Sequence, residues 1–451
     1  MEELLHYVWK HKLFPLGEMK TTDGLPVEVI DTGLPNRHAG PDFFNAKVRI
    51  GETLWVGNVE IHGQASDWYR HGHDHDPKYD NVVLHVAKVV DTEVRTANGH
   101  AIPQIELPVP QSVTDHYQEL VATDHRVPCH QILPHLSPLA VHGWLSALLI
   151  ERLERKTQSI GERLARCEDS WEAAYFTTLA RNYGFGVNGD AFEAWAATIP
   201  LHAVDHHRDD LFQIEAIFMG QAGLLQPEAI PERHRADALA DGYFSRLQRE
   251  YQYLAHKFGL KPIDCHQWRF LRLRPQNFPH IRLSQLARLY YERRAGLSQV
   301  LACQSAKELA DTLRTSVTPY WQNHYTFGAP CEPSDKTLSA ASLNLLMINT
   351  AIPMLFAYGR HKGAEALCDR AYSLLEELRA EDNHIVRMWR ECGLKVAHAG
   401  DSQALIQLKT EYCDRKDCLR CRFGYEFIKG KKKGGVKGKE VKRYKGKRVK
   451  G

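Results

Sequence analysis

The sequence predicts an α+β protein in which a small N-terminal α/β domain precedes a large helical domain. Between residues 26 and 110, short runs rich in Val, Ile and aromatic residues are separated by Gly and Pro, which is typical of β-strands and their turns. From about residue 113 onward, apolar residues recur at spacings of three and four, the period of an amphipathic helix. The 451 residues are enough for two or three domains and at least one sizeable core.

The first domain, residues 1–112, is predicted to follow a compact α/β order. The pair Gly51-Glu52 is typical of a tight turn and predicts a hairpin between the second and third strands. Residues 65–80 are polar and can hold a short helix. The other expected elements are a helix over 1–14, strands over 26–31, 44–50, 54–62 and 81–90, and an extended piece over 102–110.

The charge is distributed unevenly along the chain. From Lys429 to Gly451 there are twelve Lys or Arg and one acid, Glu440, which gives this tail a net charge of +11. Subtracting the tail from the +3 of the whole chain leaves −8 for residues 1–428. Nucleic-acid-binding folds normally carry a basic surface of their own, whereas here the excess lies in a Lys- and Gly-rich tail that we expect to be disordered. The helical domain is therefore assigned to 113–428 and the tail to 429–451.

The sequence also predicts the cellular location. No window holds the roughly 18 uninterrupted apolar residues that a membrane span needs. The N-terminus carries acids, Glu2 and Glu3, where a signal peptide is basic. Ten scattered cysteines favour reduced thiols over a disulfide framework. We expect a cytoplasmic protein with no membrane partner.

Two acids on neighbouring predicted strands, Asp42 and Glu60, define the candidate catalytic site. Side chains alternate between the faces of a strand, so Glu60 and His62 share a face, and Asp42 can approach Glu60 across the hairpin. Converging carboxylates suit Mg²⁺ or Mn²⁺, which can polarise a phosphate and activate water. His62 can contact the phosphate or help to deprotonate that water. A structural alternative stays open, because a Pro-Asp pair often only starts a turn.

This arrangement resembles the PD-(D/E)XK nuclease superfamily. Pro41-Asp42 supplies the Pro-Asp pair, Glu60-Ile61-His62 falls on the next strand, and the predicted order of elements matches the superfamily's αβββαβ core. The resemblance implies a restriction-endonuclease-like domain in which Asp42 and Glu60 bind the metal. His62 stands where most members have Lys, and Gln64 resembles a Gln that follows the motif in recombination-type nucleases.

A run dense in His and Asp follows the third strand. His71, His73 and His75 alternate, a pattern that suits Zn²⁺ or another transition metal. The run also resembles the HxHxDH motif of metallo-β-lactamases, although here His75 precedes Asp76. We favour an indirect role for this run, in which His71, His73 or Asp76 orients the metal ligands or a phosphate. His85, in an apolar strand, is expected to be a core histidine.

Three cysteines cluster near the end of the chain. Cys413, Cys418 and Cys421 have the spacing C-x4-C-x2-C, which suggests Zn²⁺ or an iron–sulfur cluster. Some nucleases of the superfamily carry an iron–sulfur cluster on dispersed cysteines, although with different spacing. A fourth ligand would come from Cys392, another distant Cys or a His. The alternative is a terminal helical turn with three reduced thiols.

The segment 269–282 interleaves Arg with Phe, Asn and Pro. Arg272, Arg274 and Arg282 can therefore grip phosphates while the aromatic residues stack on bases. The interpretation that we prefer is a buried loop whose arginines bond to backbone carbonyls.

Segments spread over residues 1–428 also resemble one family of uncharacterised bacterial proteins, a domain of unknown function. They include GPDF, VGNVEIH and RLRPQNFPHIRLSQLA. This resemblance implies a bacterial cytoplasmic protein and no particular activity. Two functions stay open: a Mg²⁺- or Mn²⁺-dependent nuclease acting on DNA or RNA, and a catalytically inactive nuclease-fold module that binds nucleic acid or a protein partner.

Overall fold

The computed structural model describes residues 2–15, 19–36 and 38–430. These residues form two compact units, one made of the described parts of Met1–Leu136 and Lys409–Gly451, the other of Ser137–Leu408. A β-sheet lies in the N-terminal region and the remainder is largely helical, which confirms the predicted α+β class. The tail predicted to be disordered, 429–451, lies outside the described residues from position 431 onward.

The first unit is built on a mixed sheet of order β1-β3-β4-β5-β6, with β2 paired to β3. The pairs β1–β3 and β3–β4 are antiparallel, whereas the pairs β4–β5 and β5–β6 are parallel. Its elements are α1 Glu2–Lys10, β1 Val27–Asp31, β2 Leu34–Pro35, β3 Phe43–Ile50, β4 Thr53–Gln64, α2 Asp67–Arg70, β5 Val82–Val89, β6 Gln104–Glu106 and α3 Gln111–Ala122.

Apolar periodicity explains how these elements pack. α1 buries Leu5, Val8 and Trp9 and packs against β4. β5, the neighbour of β4 in the sheet, buries its central residues completely. α2 contributes Trp68 to a cluster of buried apolar side chains. The 3-10 helices described in this unit are His73–His75, Pro77–Tyr79, His130–His135 and Cys418–Arg420.

The second unit is helical apart from one short hairpin. A π-helical segment, Met347–Ala351, joins two of its helices. Its elements are α4 Pro138–Arg166, α5 Trp171–Tyr183, α6 Gly189–Ala197, α7 Leu201–Asp205, α8 Leu211–Gln221, α9 Glu232–Ala240, α10 Gly242–Phe258, α11 Pro279–Tyr291, α12 Leu297–Ala302, α13 Ala306–Leu313, α14 Pro319–Gln322, β7 His324–Thr326, β8 Ala329–Pro330, α15 Ala340–Leu346, α16 Ile352–Lys362, α17 Glu365–Glu377, α18 His384–Glu391 and α19 Ala399–Leu408.

The chain then returns to the first unit through a π-helical segment, Lys409–Cys413, and a last helix, α20 Arg422–Lys429. The Ile428 carbonyl lies 3.1 Å from His116 Nδ1 on α3. Lys416 Nζ donates to the Val121 carbonyl at 2.6 Å. The predicted domains, 1–112 and 113–428, were divided where the sequence becomes helical. The two compact units are divided differently, because the spacing of apolar residues in a helix does not reveal which core that helix joins.

One helical stretch, Ala340–Lys362, has the length and apolar composition of a membrane span. In the structure 67 % of its apolar window is buried inside the protein. The core helix of a soluble protein can be buried to this extent, so the apolar composition of this stretch is only weak evidence for a membrane span. The cytoplasmic location stays a prediction.

A carboxylate is buried in the core of the second unit. Glu215 on α8 accepts hydrogen bonds from Trp321 Nε1 at 2.5 Å, Tyr243 Oη at 2.7 Å and Thr318 Oγ1 at 2.9 Å. Burial raises the pKa of Glu215 to about 7, although these donors favour its charged form.

This shift predicts a pH-dependent stability. Because the pKa of Glu215 is higher in the folded state, its contribution is complete below the ordinary pKa of a Glu and is lost as pH rises through about 7. We expect the free energy of unfolding to fall by up to about 3 kcal/mol between about pH 5 and about pH 8. Glu215→Gln should remove most of that fall, which urea unfolding at several pH values measures. The exposed Glu232→Gln is the matched control, and an unchanged slope in Glu215→Gln would contradict the assignment.

Candidate active site

A β-bulge in the β3–β4 hairpin lies beside the predicted acids. Near the turn Ala46 pairs with Gly57, and beyond the bulge Phe43 pairs with Val59. One extra β3 residue is therefore inserted between these two pairs. Asn45 lies at this point with a left-handed φ of 54°, a conformation that Asn adopts more readily than most residues.

The bulge determines the face on which Asp42 lies. If the register near the turn continued, Asp42 would oppose Ile61, whereas the shifted register places it opposite Glu60. The Asp42 backbone N–H donates to Glu60 Oε2 at 3.0 Å. In return, the Ile61 backbone N–H donates to Asp42 Oδ2 at 2.9 Å. Each carboxylate is thus fixed by the backbone of the other strand.

Asp42 also contacts a histidine that the sequence analysis missed. His6 Nε2 on α1 lies 3.3 Å from Asp42 Oδ2. Burial lowers the pKa of His6, but the hydrogen bond and charge of Asp42 outweigh it, so the net shift is upward. Glu2 lies one helical turn before His6, and its Oε1 is 4.0 Å from the same nitrogen. The sequence reveals that pairing within the helix, but it does not reveal that His6 reaches Asp42.

Glu60 is 5 % exposed and contacts two histidines. His73 Nε2 lies 3.2 Å from its Oε1, and His62 Nε2 lies 3.7 Å from the same atom. Tyr79 stacks on His73 with 3.8 Å between ring centroids and holds that ring in place. Burial and the charge of Asp42 raise the pKa of Glu60, while the His73 hydrogen bond opposes the rise. The two carboxylates therefore repel each other, and a proton or cation between them is stabilising.

A chain of hydrogen bonds assigns the proton on His62. Gln104 Oε1 accepts from the Val94 N–H at 3.2 Å, and its Nε2 donates to the Thr92 carbonyl at 3.0 Å. This fixes the amide so that an N–H faces His85 Nδ1 at 3.4 Å. His85 Nδ1 then accepts, and its Nε2–H donates to His62 Nδ1 at 2.8 Å. We therefore assign the His62 proton to Nε2. His85 is the buried, bonded histidine that was expected, and it orients His62.

His62 is consequently a neutral hydrogen-bond donor. Burial, with the neighbouring His85, His73 and His71 adding to it, lowers the pKa of His62 to about 3. Its Nε2 lies 3.3 Å from His71 Nδ1 and also faces Glu60. The side chain is only 1 % exposed, so it acts on Glu60 and His71.

Three histidines offer a second set of metal ligands. One nitrogen from each of His62, His71 and His73 lies within 4.8 Å of the other two. His75, by contrast, is exposed and contacts Asp74 at 3.2 Å, so the strand residue His62 takes the place that the sequence pattern gave to His75. Metal binding here requires His62 Nε2 to lose its proton, which breaks the hydrogen-bond chain from Gln104.

Two further predicted residues lie apart from the carboxylate pair. Gln64 is exposed at the end of β4, where its backbone N–H donates to Asp67 Oδ2 at 3.1 Å. Asp76 caps the 3-10 helix that follows it, accepting from the Lys78 N–H at 3.0 Å. Within the described part of the chain, the hydrogen bonds and ion pairs of the carboxylate pair include neither residue.

The predicted nucleic-acid contacts lie in the second unit. Arg272 and Arg274 are exposed. Arg282 is buried: it donates to Gln285 Oε1 at 2.8 Å and to Asn277 Oδ1 at 2.5 Å, and its guanidinium packs over a Phe ring. A buried, bonded arginine supports local structure, so Arg282 is not exposed to a nucleic acid in this structure.

The hydrogen-bond chain predicts how the site histidines titrate. Because the pKa of His62 is lowered to about 3, His62 should stay neutral from about pH 8 to about pH 5, whereas His6, whose pKa is raised, should become protonated at a higher pH than an ordinary histidine. Nitrogen NMR of ¹⁵N-histidine-labelled protein, assigned with His62→Gln and His6→Gln, measures both. Asp42→Asn should lower the pKa of His6 and leave His62 neutral. A His62 that carries its proton on Nδ1 would contradict the assignment.

Comparison with known proteins gives a family and no relative of known activity. No curated protein matches the chain, and no solved structure matches it. The resemblance to the PD-(D/E)XK superfamily therefore gains no support from these comparisons. One family model matches residues 2–384, most of the chain, and ends before Cys413. The chain thus belongs to the family described as "Protein of unknown function (DUF2851)".

Proposed function

We propose that the first unit is a metal-dependent phosphodiesterase that cleaves DNA or RNA, with Mg²⁺ or Mn²⁺ bound by Asp42 and Glu60. The observation that carries this proposal is the bulge, which brings the two carboxylates to one face of the hairpin. A bulge that aligns two mutually repelling acids costs stability unless the acids serve a ligand. Carboxylate oxygens are the ligands that these hard cations prefer.

The order of elements supports a nuclease over other metal enzymes. Apart from the two-residue strand β2 and the two 3-10 helices before β5, the elements α1, β1, β3, β4, α2 and β5 follow one another as helix, three strands, helix and strand. That is the order of the αβββαβ core of the PD-(D/E)XK superfamily, with Asp42 directly before one central strand and Glu60 on the next. In this proposal α2 is a single turn in the place of the second core helix.

The chain's own residues can orient the two ligands. His73 and His62 contact Glu60 Oε1, and His6 contacts Asp42 Oδ2, so each carboxylate has an imidazole beside one of its oxygens. A bound metal ion would polarise a phosphate and lower the pKa of a water molecule. His62 stands at the position of the superfamily Lys, but it is neutral and buried, so it donates a hydrogen bond and no positive charge. Gln64 stays a candidate at the end of the same strand.

The same observation on His62 favours a second function. A neutral, 1 % exposed histidine cannot replace the charge of a catalytic Lys, and residues 1–428 carry a net charge of −8. The alternative is therefore an inactive nuclease-fold module that binds nucleic acid or a protein partner. The basic tail, most of which lies outside the described residues, would supply phosphate attraction in either case.

Calorimetric titration of Mn²⁺ and Mg²⁺ into chelator-treated protein tests the proposal. We expect one Mn²⁺ to bind the wild type, and its affinity to fall at least about tenfold in Asp42→Asn and Glu60→Gln, because each change removes an anionic ligand but keeps its shape. Glu52→Gln, at the exposed turn of the same hairpin, is the matched control and should bind as the wild type does.

Cleavage assays with single- and double-stranded DNA and RNA separate the two functions. Mn²⁺-dependent cleavage that disappears in Asp42→Asn and Glu60→Gln supports the nuclease. Metal-independent nucleic-acid binding without cleavage, unchanged in both variants, supports the inactive module. Equal Mn²⁺ affinity in all four proteins would overturn the metal site itself.

A further inference from the structure

Four cysteines from two distant parts of the sequence meet in the first unit. Cys413 ends the π-helical segment, Cys418 begins a 3-10 turn, and Cys421 is the N-cap of α20. The fourth, Cys129, directly precedes the 3-10 helix His130–His135. Cys129, Cys418 and Cys421 are only 7–8 % exposed, so these sulfurs are removed from water.

The packing of α20 brings these segments together. α20 packs against α3 and against the 3-10 helix that follows Cys129. Its first turn also presses on the turn that carries Cys418. A Cβ at position 424 would lie 2.1 Å from the Cys418 carbonyl oxygen, so only the glycine found there permits this approach. The turn that carries Cys418, here called the cysteine turn, therefore requires glycine at position 424.

The four cysteines lie on segments that are in contact with one another. Cys421 opens α20, and Cys418 lies on the turn against which the first turn of α20 packs. Cys413 ends the π-helical segment that contacts the same turn, and Cys129 directly precedes the 3-10 helix on which α20 packs. The electrostatic effects agree with this packing, since burial and then the charges of the other three cysteines raise the pKa of the Cys129 thiol.

We propose that Cys129, Cys413, Cys418 and Cys421 bind an iron–sulfur cluster. Four cysteine thiolates are the standard ligand set of such clusters. In this proposal Cys129 is the fourth ligand. Cys392 lies at the end of α18 in the second unit. This inference is independent of the proposed nuclease activity.

The spacing of the cysteines favours a cluster over zinc. Cys413, Cys418 and Cys421 have the C-x4-C-x2-C spacing of plant-type ferredoxins, in which one distant cysteine completes the ligand set. Here the distant cysteine, Cys129, precedes the group of three instead of following it. A tetrahedral Zn²⁺ with Zn–S bonds of about 2.3 Å holds its sulfurs about 3.8 Å apart. In the described part of the chain, two sets of three metal-binding residues have their ligand atoms within 4.8 Å of one another, and neither set contains these cysteines.

Anaerobic purification of the full chain tests the proposal. We expect iron and acid-labile sulfide in stoichiometric amounts, together with the visible absorption of an iron–sulfur chromophore. Cys129→Ser and Cys418→Ser should each lose the absorption and the sulfide. Cys392→Ser and Cys167→Ser are the matched controls and should keep both, as should Glu60→Gln, which separates this site from the proposed nuclease site.

A second measurement keeps the test valid if the serine variants fail to fold. Iron X-ray absorption on the wild-type protein should show sulfur in the first coordination shell and a short iron–iron distance. Stoichiometric zinc without sulfide, wild-type protein that binds neither iron nor sulfide after reconstitution, or a folded Cys129→Ser variant that keeps the cluster would each overturn the proposal.

Discussion

The geometry of the first unit depends on one inserted residue in β3. A strand presents alternate side chains to opposite faces, so a shift of one residue exchanges the faces. The bulge between Phe43 and Ala46 makes that exchange and leaves Asp42 on the face of Glu60. The two reciprocal hydrogen bonds between these acids and the backbone of the facing strand then hold the register at this end of the hairpin. The same two hydrogen bonds thus fix both the positions of the acids and the register of the two strands at this end.

The same face of the sheet carries a polar row across three strands. Glu60 on β4 pairs with His85 on β5, and His85 pairs with Gln104 on β6. Residues paired in this way share a face, so the row continues the register that the bulge creates. The backbone bonds of Gln104 set its amide, the amide sets the tautomer of His85, and His85 sets that of His62. The position of the proton on His62 therefore depends on Gln104, which lies on the edge strand β6.

Local features of the sequence predicted much of this unit. The hairpin about Gly51-Glu52, β5 and the neighbouring positions of Asp42 and Glu60 follow from alternation and turn chemistry, which depend on residues close in the chain. The sequence did not reveal the contribution of Gln104 or His6, because both reach the site through tertiary packing. The proton on His62 is a similar case, since it depends on a register between three strands.

Distance along the chain also explains why the two compact units differ from the predicted domains and why the sequence does not point to Cys129. Nothing in the residues around Cys129 indicates that α20 will pack beside it. In the structure, Tyr425 of α20 also packs against His11 of α1, with 5.0 Å between ring centroids. α1 carries His6, whose imidazole faces Asp42. The cysteine turn, α20, α1 and Asp42 thus form a continuous series of contacts within the first unit. A ligand that fixes the cysteine turn therefore also supports the helix that holds one of the two acids in place.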